Sequence, residues 1–518
     1  MGKSNNFVLY FSLILSILFV LVGVTFHERL GSIATAFLDF SVTNFNWFYL
    51  LVGSLFVLIC LYLMFSKYGS IRLGKDTDKP TYGTLSWITM LFSAAMGVGL
   101  VFWSVAEPTS HYITPPLGEG STSDAASLSM KYTFFHWGLH PWAIYGVVAL
   151  GLAYFNFRKN LPAAMSSTLY PLLGDKIKGP IGKTIDILSV FITAVGVAST
   201  FGLSALQIAN GINAQWGIPN TLLFQLSIIG LATILFIISS WSGIDRGIRY
   251  LSNFNMLLMI TIMAIVLIIG PTKQILEMLI SSTGNYLGDL VPMSLRLEPF
   301  NSDNNAWIGA WTVFYWAWWT TWAPFVGAFI ARISRGRTIR EFVLGVLLIP
   351  SFISFVWFAI LGGSTIHLIH DLGNASLADS INTNLEGALF SFFSNIPLGS
   401  ILSILAILLI FSFFITSADS ATFVLGMLSS NGELDPSHRV KITWGIITAG
   451  AATVFLLAGG LDAVRTISIV VATPFTIIML FISYSLLKET RKEFSTARDG
   501  QAFVSYESSE KKNRKQAK

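Results

Sequence analysis

Charge and cysteine are what this chain has least of. Of its 518 residues, 11% are charged and one is a cysteine. Soluble domains carry about twice that share of charge, so a water-facing surface over most of the molecule is excluded. A lone thiol, Cys60, excludes an intrachain disulfide and a thiolate metal cluster. No run of His, Asp and Glu shows the spacing of a metal or acid–base centre, which argues against an enzyme at a membrane face. No ring of selectivity groups of the kind a channel needs is visible either.

What is abundant is apolar: 53% of the chain is hydrophobic. Hydropathy divides it into twelve segments long enough to span a bilayer. They lie at 7–25, 47–66, 86–106, 135–155, 185–211, 222–241, 251–270, 307–331, 341–362, 401–429, 440–460 and 464–487. No small-residue cleavage site follows the apolar core of the first, which predicts a retained helix. The fold class expected is an all-α polytopic membrane protein.

Basic residues test the topology. With both termini inside, inner loops hold eighteen Lys and Arg, outer loops five (Arg29, Lys131, Lys273, Arg296 and Arg465), and the C-terminal tail the remaining nine of 32. The positive-inside rule accepts this orientation and rejects its reverse. The net charge of +5 is then a topology signal and not evidence of nucleic-acid binding.

Residues 1–85 supply an N-terminal tail and two extra spans, 86–270 five spans, 271–306 an amphipathic outer connection, and 307–487 five more spans. Residues 488–518 form a polar basic tail ending Lys511-Lys512-Asn513-Arg514-Lys515. That tail reads as disordered stop-transfer charge or as a polybasic strip touching anionic lipid. Each half is expected to open on an interrupted span, broken by Ala94-Ala95-Met96-Gly97-Val98-Gly99 in the third and near Ala323-Pro324-Phe325-Val326-Gly327 in the eighth. Paired breaks in two five-helix halves predict an inverted-repeat transporter with a midplane site.

Five of the chain's 15 tryptophans fall between Trp311 and Trp322: Trp311, Trp316, Trp318, Trp319 and Trp322, with Tyr315 among them. A membrane-interface belt places one or two rings at each surface. Here the run covers roughly 16 Å of helix, about half the hydrocarbon thickness. Indole faces carry negative quadrupole density and bind cations that offer no hydrogen bonds, quaternary ammonium above all. In the fourth span, Trp137, Trp142 and Tyr145 fall toward one side and supply further walls of an aromatic box, with Trp319 closing it. His136 and His140 read as structural histidines, with no acidic partner nearby in sequence. In the third span, amides freed near Met96–Gly99 suit a carboxylate. In the tenth, Phe413-Phe414-Ile415-Thr416-Ser417-Ala418-Asp419-Ser420 offers uncharged oxygens that suit sodium.

Trp311–Glu341, which includes the basic run Arg332–Arg340, together with Ala95–Gly99 and Trp137–Tyr145, resembles the betaine/choline/carnitine transporter family. The resemblance extends over spans three to twelve. It implies twelve spans, with two N-terminal helices before a five-plus-five inverted repeat of the amino-acid/sodium symporter type, and commonly a homotrimer. It also implies a central box of Trp137, Trp142, Tyr145 and Trp319, with Trp316, Trp318 and Trp322 along the pathway and Ala95, Met96, Gly97 and Gly99 near the substrate. Sodium would be held by backbone oxygens of Ser93, Met96 and Phe413 and the hydroxyls of Thr416 and Ser417. A second sodium site would use Thr193 and Phe325, although Val197 stands where a second threonine is usual. The expected function is sodium-coupled import of glycine betaine across a bacterial cytoplasmic membrane, sodium serving as coupling ion and no cofactor being required. Choline or carnitine transport, proton-coupled or by exchange, is the alternative, and a channel the remote one. Retention of Gly97 and Gly99, and the lack of a basic residue between Ile185 and Gly211, favour sodium and betaine.

Overall fold

Among the described residues, each of the twelve apolar segments falls on helix. The computed structural model describes residues 6–95, 97–242 and 244–516, without the side-chain surroundings of 93–95, 239–242, 244–249 and 495–516. Met96 therefore lies outside the described residues, as do the side chains of Ser93 and Ala95. The spans are Phe7–Thr25; His27–Phe65; a broken third, Thr84–Ala95 and Val98–Ile113; a broken fourth, Ser123–Trp137 and Leu139–Ala153; Pro180–Trp216; and Leu222–Ser242. After Ile244–Ile269 come the eighth at Phe314–Ile333, then Ile339–Ile366, Gly399–Ser429, His438–Leu457 and Leu461–Gln516. Among the described residues, nine helices are long and apolar enough to cross a membrane. The third, sixth and eighth spans fall outside that count: the third is in two pieces, the apolar stretch of the sixth is short at Leu222–Ile238, and the eighth is rich in tryptophan.

A five-helix repeat shows in which helices pack together. The third span packs on the ninth as the eighth packs on the fourth. The seventh packs on the tenth as the twelfth packs on the fifth, and the fifth on the eleventh as the tenth on the sixth. Each pairing maps onto its counterpart when the span number shifts by five. Because five is odd, the second copy crosses in the opposite sense. The first two spans stand outside this exchange: the first lies on the fifth and eleventh, the second on the fourth and twelfth.

Three expectations are corrected. The eighth span is not interrupted at 323–327; Phe314–Ile333 is continuous, with Pro324 inside it. Its irregularity lies earlier, in a π-helical turn at Gly309–Val313. Proline removes one backbone bond, and neighbouring helices can hold such a helix together; Gly327 lets Val148 of the fourth span close against it. The fourth span, by contrast, is broken at Gly138 (φ −92°, ψ −131°). Pro141 has no N–H to return to the Trp137 carbonyl, and the Leu139 N–H turns instead to the Tyr286 hydroxyl at 3.0 Å. Finally, the tail expected to be disordered continues as helix to Gln516.

Candidate functional site

The fourth and eighth spans share the most extensive helix–helix interface, and the break at Gly138 sits on it. Trp137 and Trp319 meet edge to face, centroids 4.8 Å apart and planes at 81°. Tyr145 meets Trp319 at 6.0 Å and 83°, and Trp142 meets Tyr145 at 5.9 Å and 82°. Successive near-right angles make the walls of a corner, not a stack. Trp319 is fixed by donating its indole N–H to the His136 carbonyl at 3.2 Å, next to the break. All four rings are buried. The Tyr145 hydroxyl and the Trp142 indole N–H have no partner among the described residues. Buried polar groups of this kind need a bond from water or a ligand.

Trp318 stacks on Trp319 at 5.0 Å and leads away from the corner toward the third span. Gly99 lies directly against it: a Cβ there would stand 2.7 Å from Trp318 Cη2. Trp322, one turn further, packs its ring on Phe325 at 5.6 Å. Trp316 does not join these rings, which corrects the expectation that it lines the pathway. It stacks on His140 at 4.8 Å and 7°, and its indole nitrogen abuts Gly53 of the second span. Residues 316 and 319 diverge by about 60° around the helix and lie about one turn apart along it, and within that divergence Trp319 meets the corner while Trp316 meets His140 and the second span.

The break in the third span faces the tenth. A Cβ on Gly97 would meet Ser417 Oγ at 3.4 Å and Phe413 Cδ1 at 3.9 Å. Gly97 and Ser417 are both partly exposed in a neighbourhood of buried residues. Thr416, expected beside Ser417, turns to the seventh span: its hydroxyl accepts from Asn255 Nδ2 at 3.2 Å and donates to the Ser412 or Phe413 carbonyl at 3.1 Å. Asn255 is fully buried and also bonds the Ser412 hydroxyl. One lone pair of Thr416 remains, so Ser417 is the hydroxyl that confronts the break. The second set lies on the seam of the fifth and eighth spans, where Gly196 meets Thr321 and Trp318 Nε1 donates to Ser199 at 3.3 Å. Thr193 and Phe325 are each about one turn further along their helices, both buried, and the Thr193 hydroxyl bonds back to Ser189 at 2.7 Å.

The sequence reading missed a buried acidic centre. Its third span ended at 106, but the helix runs to Ile113 and carries Glu107 into the core. Glu107 Oε1 accepts from His136 Nδ1 at 2.7 Å and from His111 Nε2 at 3.2 Å. Oε2 accepts from Trp137 Nε1 at 2.7 Å and from the Tyr315 hydroxyl. His136 thus has the acidic partner that sequence proximity did not offer, and a Glu–His grouping exists after all. The i,i+4 spacing of Glu107 and His111 across Pro108 was the available signal, since an acid inside a span is functional by default. His140 is the structural histidine expected, with Nε2 on Ser294 Oγ at 3.2 Å.

The pattern that defines the BCCT, betaine/carnitine/choline family transporter, matches residues 7–495. The chain belongs to this family. It is therefore a multi-pass membrane transporter and not an enzyme. Among its family relatives is the glycine betaine transporter OpuD of Bacillus subtilis (strain 168), 50% identical over 475 residues, which are 92% of either chain. A probable glycine betaine transporter of Desulfitobacterium hafniense (strain Y51) is 44% identical over 494 residues, 95% of this chain and 98% of that one. An ectoine/hydroxyectoine transporter of Virgibacillus pantothenticus is 44% identical over 497 residues, with the same coverage.

Proposed function

We propose that this transporter imports glycine betaine together with sodium by alternating access across a bacterial cytoplasmic membrane, with both termini inside. The observation that carries the reading is the corner of Trp137, Trp319, Tyr145 and Trp142, whose adjacent rings meet near right angles and suit a trimethylammonium group. Each well-placed face contributes roughly 0.5–2 kcal/mol to a cation that offers no hydrogen bonds. Trp318 and Trp322 continue the aromatic path, and backbone around Ala95, Met96, Gly97 and Gly99 receives the carboxylate. Half the residues are shared with a glycine betaine transporter over nearly the whole chain, which supports the same substrate.

Sodium is assigned to the junction of the third and tenth spans. Backbone oxygens of Ser93, Met96 and Phe413, the Ser417 hydroxyl and the remaining lone pair of Thr416 form the set. Thr193 and Phe325 mark a second position. Sodium in the first site would tie the broken helix to the tenth span and so favour the state that binds substrate. The excess of basic residues in one set of loops supports the orientation. A homotrimer, and contact of the basic tail with anionic lipid, belong to the same reading.

The test is uptake of labelled glycine betaine into proteoliposomes under an imposed sodium gradient, with wild type and Trp319→Ala. Accumulation should require the gradient, and the variant should lose tenfold or more in apparent affinity, the loss of about 1.4 kcal/mol or more expected for a principal ring. Gradient-independent uptake would remove sodium coupling; an unchanged affinity would remove the box. Ectoine is a second candidate, favoured by its 44%-identical carrier. Its delocalised cation and carboxylate fit the same corner, and competition against labelled betaine ranks the two.

A further inference from the structure

The aromatic corner is wired to a carboxylate that no part of the proposed substrate or sodium set employs. Glu107 lies behind Trp137 and Tyr315, fully buried, and receives four hydrogen bonds, two on each oxygen. An ionised carboxylate offers about four acceptor positions, so four donors saturate it. The indole of Trp137 can only donate. His136 places its other ring nitrogen, Nε2, 3.0 Å from the Thr312 hydroxyl. With Nδ1 carrying the proton and Nε2 accepting from Thr312, the ring is neutral and satisfied. His111, donating from Nε2, is neutral as well. The set then holds one net negative charge, shared through hydrogen bonds with two aromatic rings.

Those two rings touch the substrate corner. Trp137 is one of its walls, and Tyr315 stacks on Trp319 at 6.0 Å and 23°. An indole that donates its N–H to a carboxylate gains electron density over its ring, which deepens the negative potential a cation feels at the face. The carboxylate also acts directly, because burial removes the water that would screen it. The nearby cation Arg465 lies elsewhere: its guanidinium sits over Trp103, Trp311 and Phe314 at 5.3, 5.0 and 5.6 Å. Those three rings meet Tyr315, whereas the Glu107 carboxylate is hydrogen-bonded to Trp137 itself, so Glu107 is the charge joined directly to the corner.

We infer that Glu107 is a specificity-determining residue of the transporter: a buried counter-charge that biases the aromatic corner toward cations and holds Trp137 and Tyr315 in place. This rests on the proposed binding of a trimethylammonium substrate to that corner. The bias adds to what the ring faces themselves contribute in discriminating a charged head from a neutral one of the same shape.

The probe pair is glycine betaine and 3,3-dimethylbutanoate, in which carbon replaces the ammonium nitrogen. Both compete against labelled betaine uptake by the full chain in proteoliposomes under an inward sodium gradient, with inhibition constants read for each. Wild type should prefer betaine strongly. Glu107→Gln keeps the shape but removes the charge; it should weaken betaine at least tenfold while leaving 3,3-dimethylbutanoate unchanged or tighter. Glu107→Asp retains the charge and should keep the betaine-to-isostere ratio within twofold of wild type even where both affinities fall. Equal losses for the two compounds in Glu107→Gln would reduce the residue to a structural prop and overturn the inference, as would a wild-type ratio in that variant. If Glu107→Gln does not fold, the Asp variant decides alone, since a collapse of its ratio also overturns the inference. A wild type that fails to discriminate would take down the aromatic-box reading itself, whereas discrimination that survives loss of the charge leaves that reading intact.

Discussion

Gly99 carries no side chain because Trp318 occupies the place where one would go. A methyl there would sit 2.7 Å from Cη2 of the indole, and that ring is held between Phe314 and Trp319. Gly99→Ala should therefore displace Trp318 and lower the maximal rate of betaine uptake at least tenfold, at a cost of about 1–3 kcal/mol for overpacking. Uptake kinetics check this, and a wild-type rate would show that Trp318 moves freely. Trp316 provides the contrast within the same helix. Its ring packs between His140 and the second span. Trp316→Phe should leave the apparent affinity for betaine within about twofold while lowering thermal stability by about 1–3 kcal/mol. An affinity loss matching that of Trp319→Ala would return Trp316 to the pathway.

At the scale of helices, two breaks and one hydroxyl pair do the positioning. The third span breaks at Gly97 and the fourth at Gly138, so both halves of the proposed site have backbone that is not committed to helix. Opposite the first break, Ser417 and Thr416 are adjacent in sequence but point about 100° apart. Ser417 faces Gly97, whereas Thr416 is held by Asn255. Ser417→Ala should consequently raise the sodium concentration for half-maximal uptake several-fold more than Thr416→Val does. Titrating sodium at fixed betaine reads this directly. A larger effect at Thr416 would mean that the threonine leaves Asn255 when sodium binds.

Across the whole molecule, the loop after the tryptophan run is more than charge obeying a topology rule. Residues 334–339 pair with the segment before the third span: Leu73 N–H donates to the Arg337 carbonyl at 2.8 Å and Gly336 N–H to Leu73 at 2.7 Å. The Arg337 guanidinium lies 4.0 Å over the Trp87 ring, and Trp87 donates to Ser334 at 3.0 Å. Arg335 Nε binds Asp78 at 3.1 Å, while the Lys75 N–H donates to the same carboxylate at 3.3 Å. The start of one repeat is thus clamped to the first turn-back of the other. Partial desolvation works to raise the Asp78 pKa, but the Arg335 and Lys75 bonds outweigh it and hold the carboxyl below its usual value. Its stabilisation is present above the unfolded value of about 3.9 and lost as pH falls through the lower folded one. The melting-temperature difference between wild type and Asp78→Asn should accordingly be constant from neutral pH to about 5 and vanish in the acid range below about 4. A difference that grows on acidification would assign the opposite shift.

Sequence alone determined the class of this protein, because hydrophobic length and loop charge are local quantities: spans of about twenty apolar residues are forced by bilayer thickness, and all twelve reappear as helices. Trp142 and Tyr145 were legible for the same reason, since helical spacing puts them about 60° apart on one side, whereas Trp137 reaches the corner across the break at Gly138, which continuous helical spacing did not foresee. Where a helix breaks was only partly legible. Gly97 marked one break, but Pro324 did not make another, because packing against the fourth span can hold a helix whose backbone bond is missing. Partners were not legible at all. Glu107 meets His136 and Tyr315 across 29 and 208 residues of sequence, and Thr416 meets Asn255 across 161. Such contacts form only when helices pack, so the tertiary structure alone decided which ring joins the corner, which hydroxyl is spare, and where the buried carboxyl group lies.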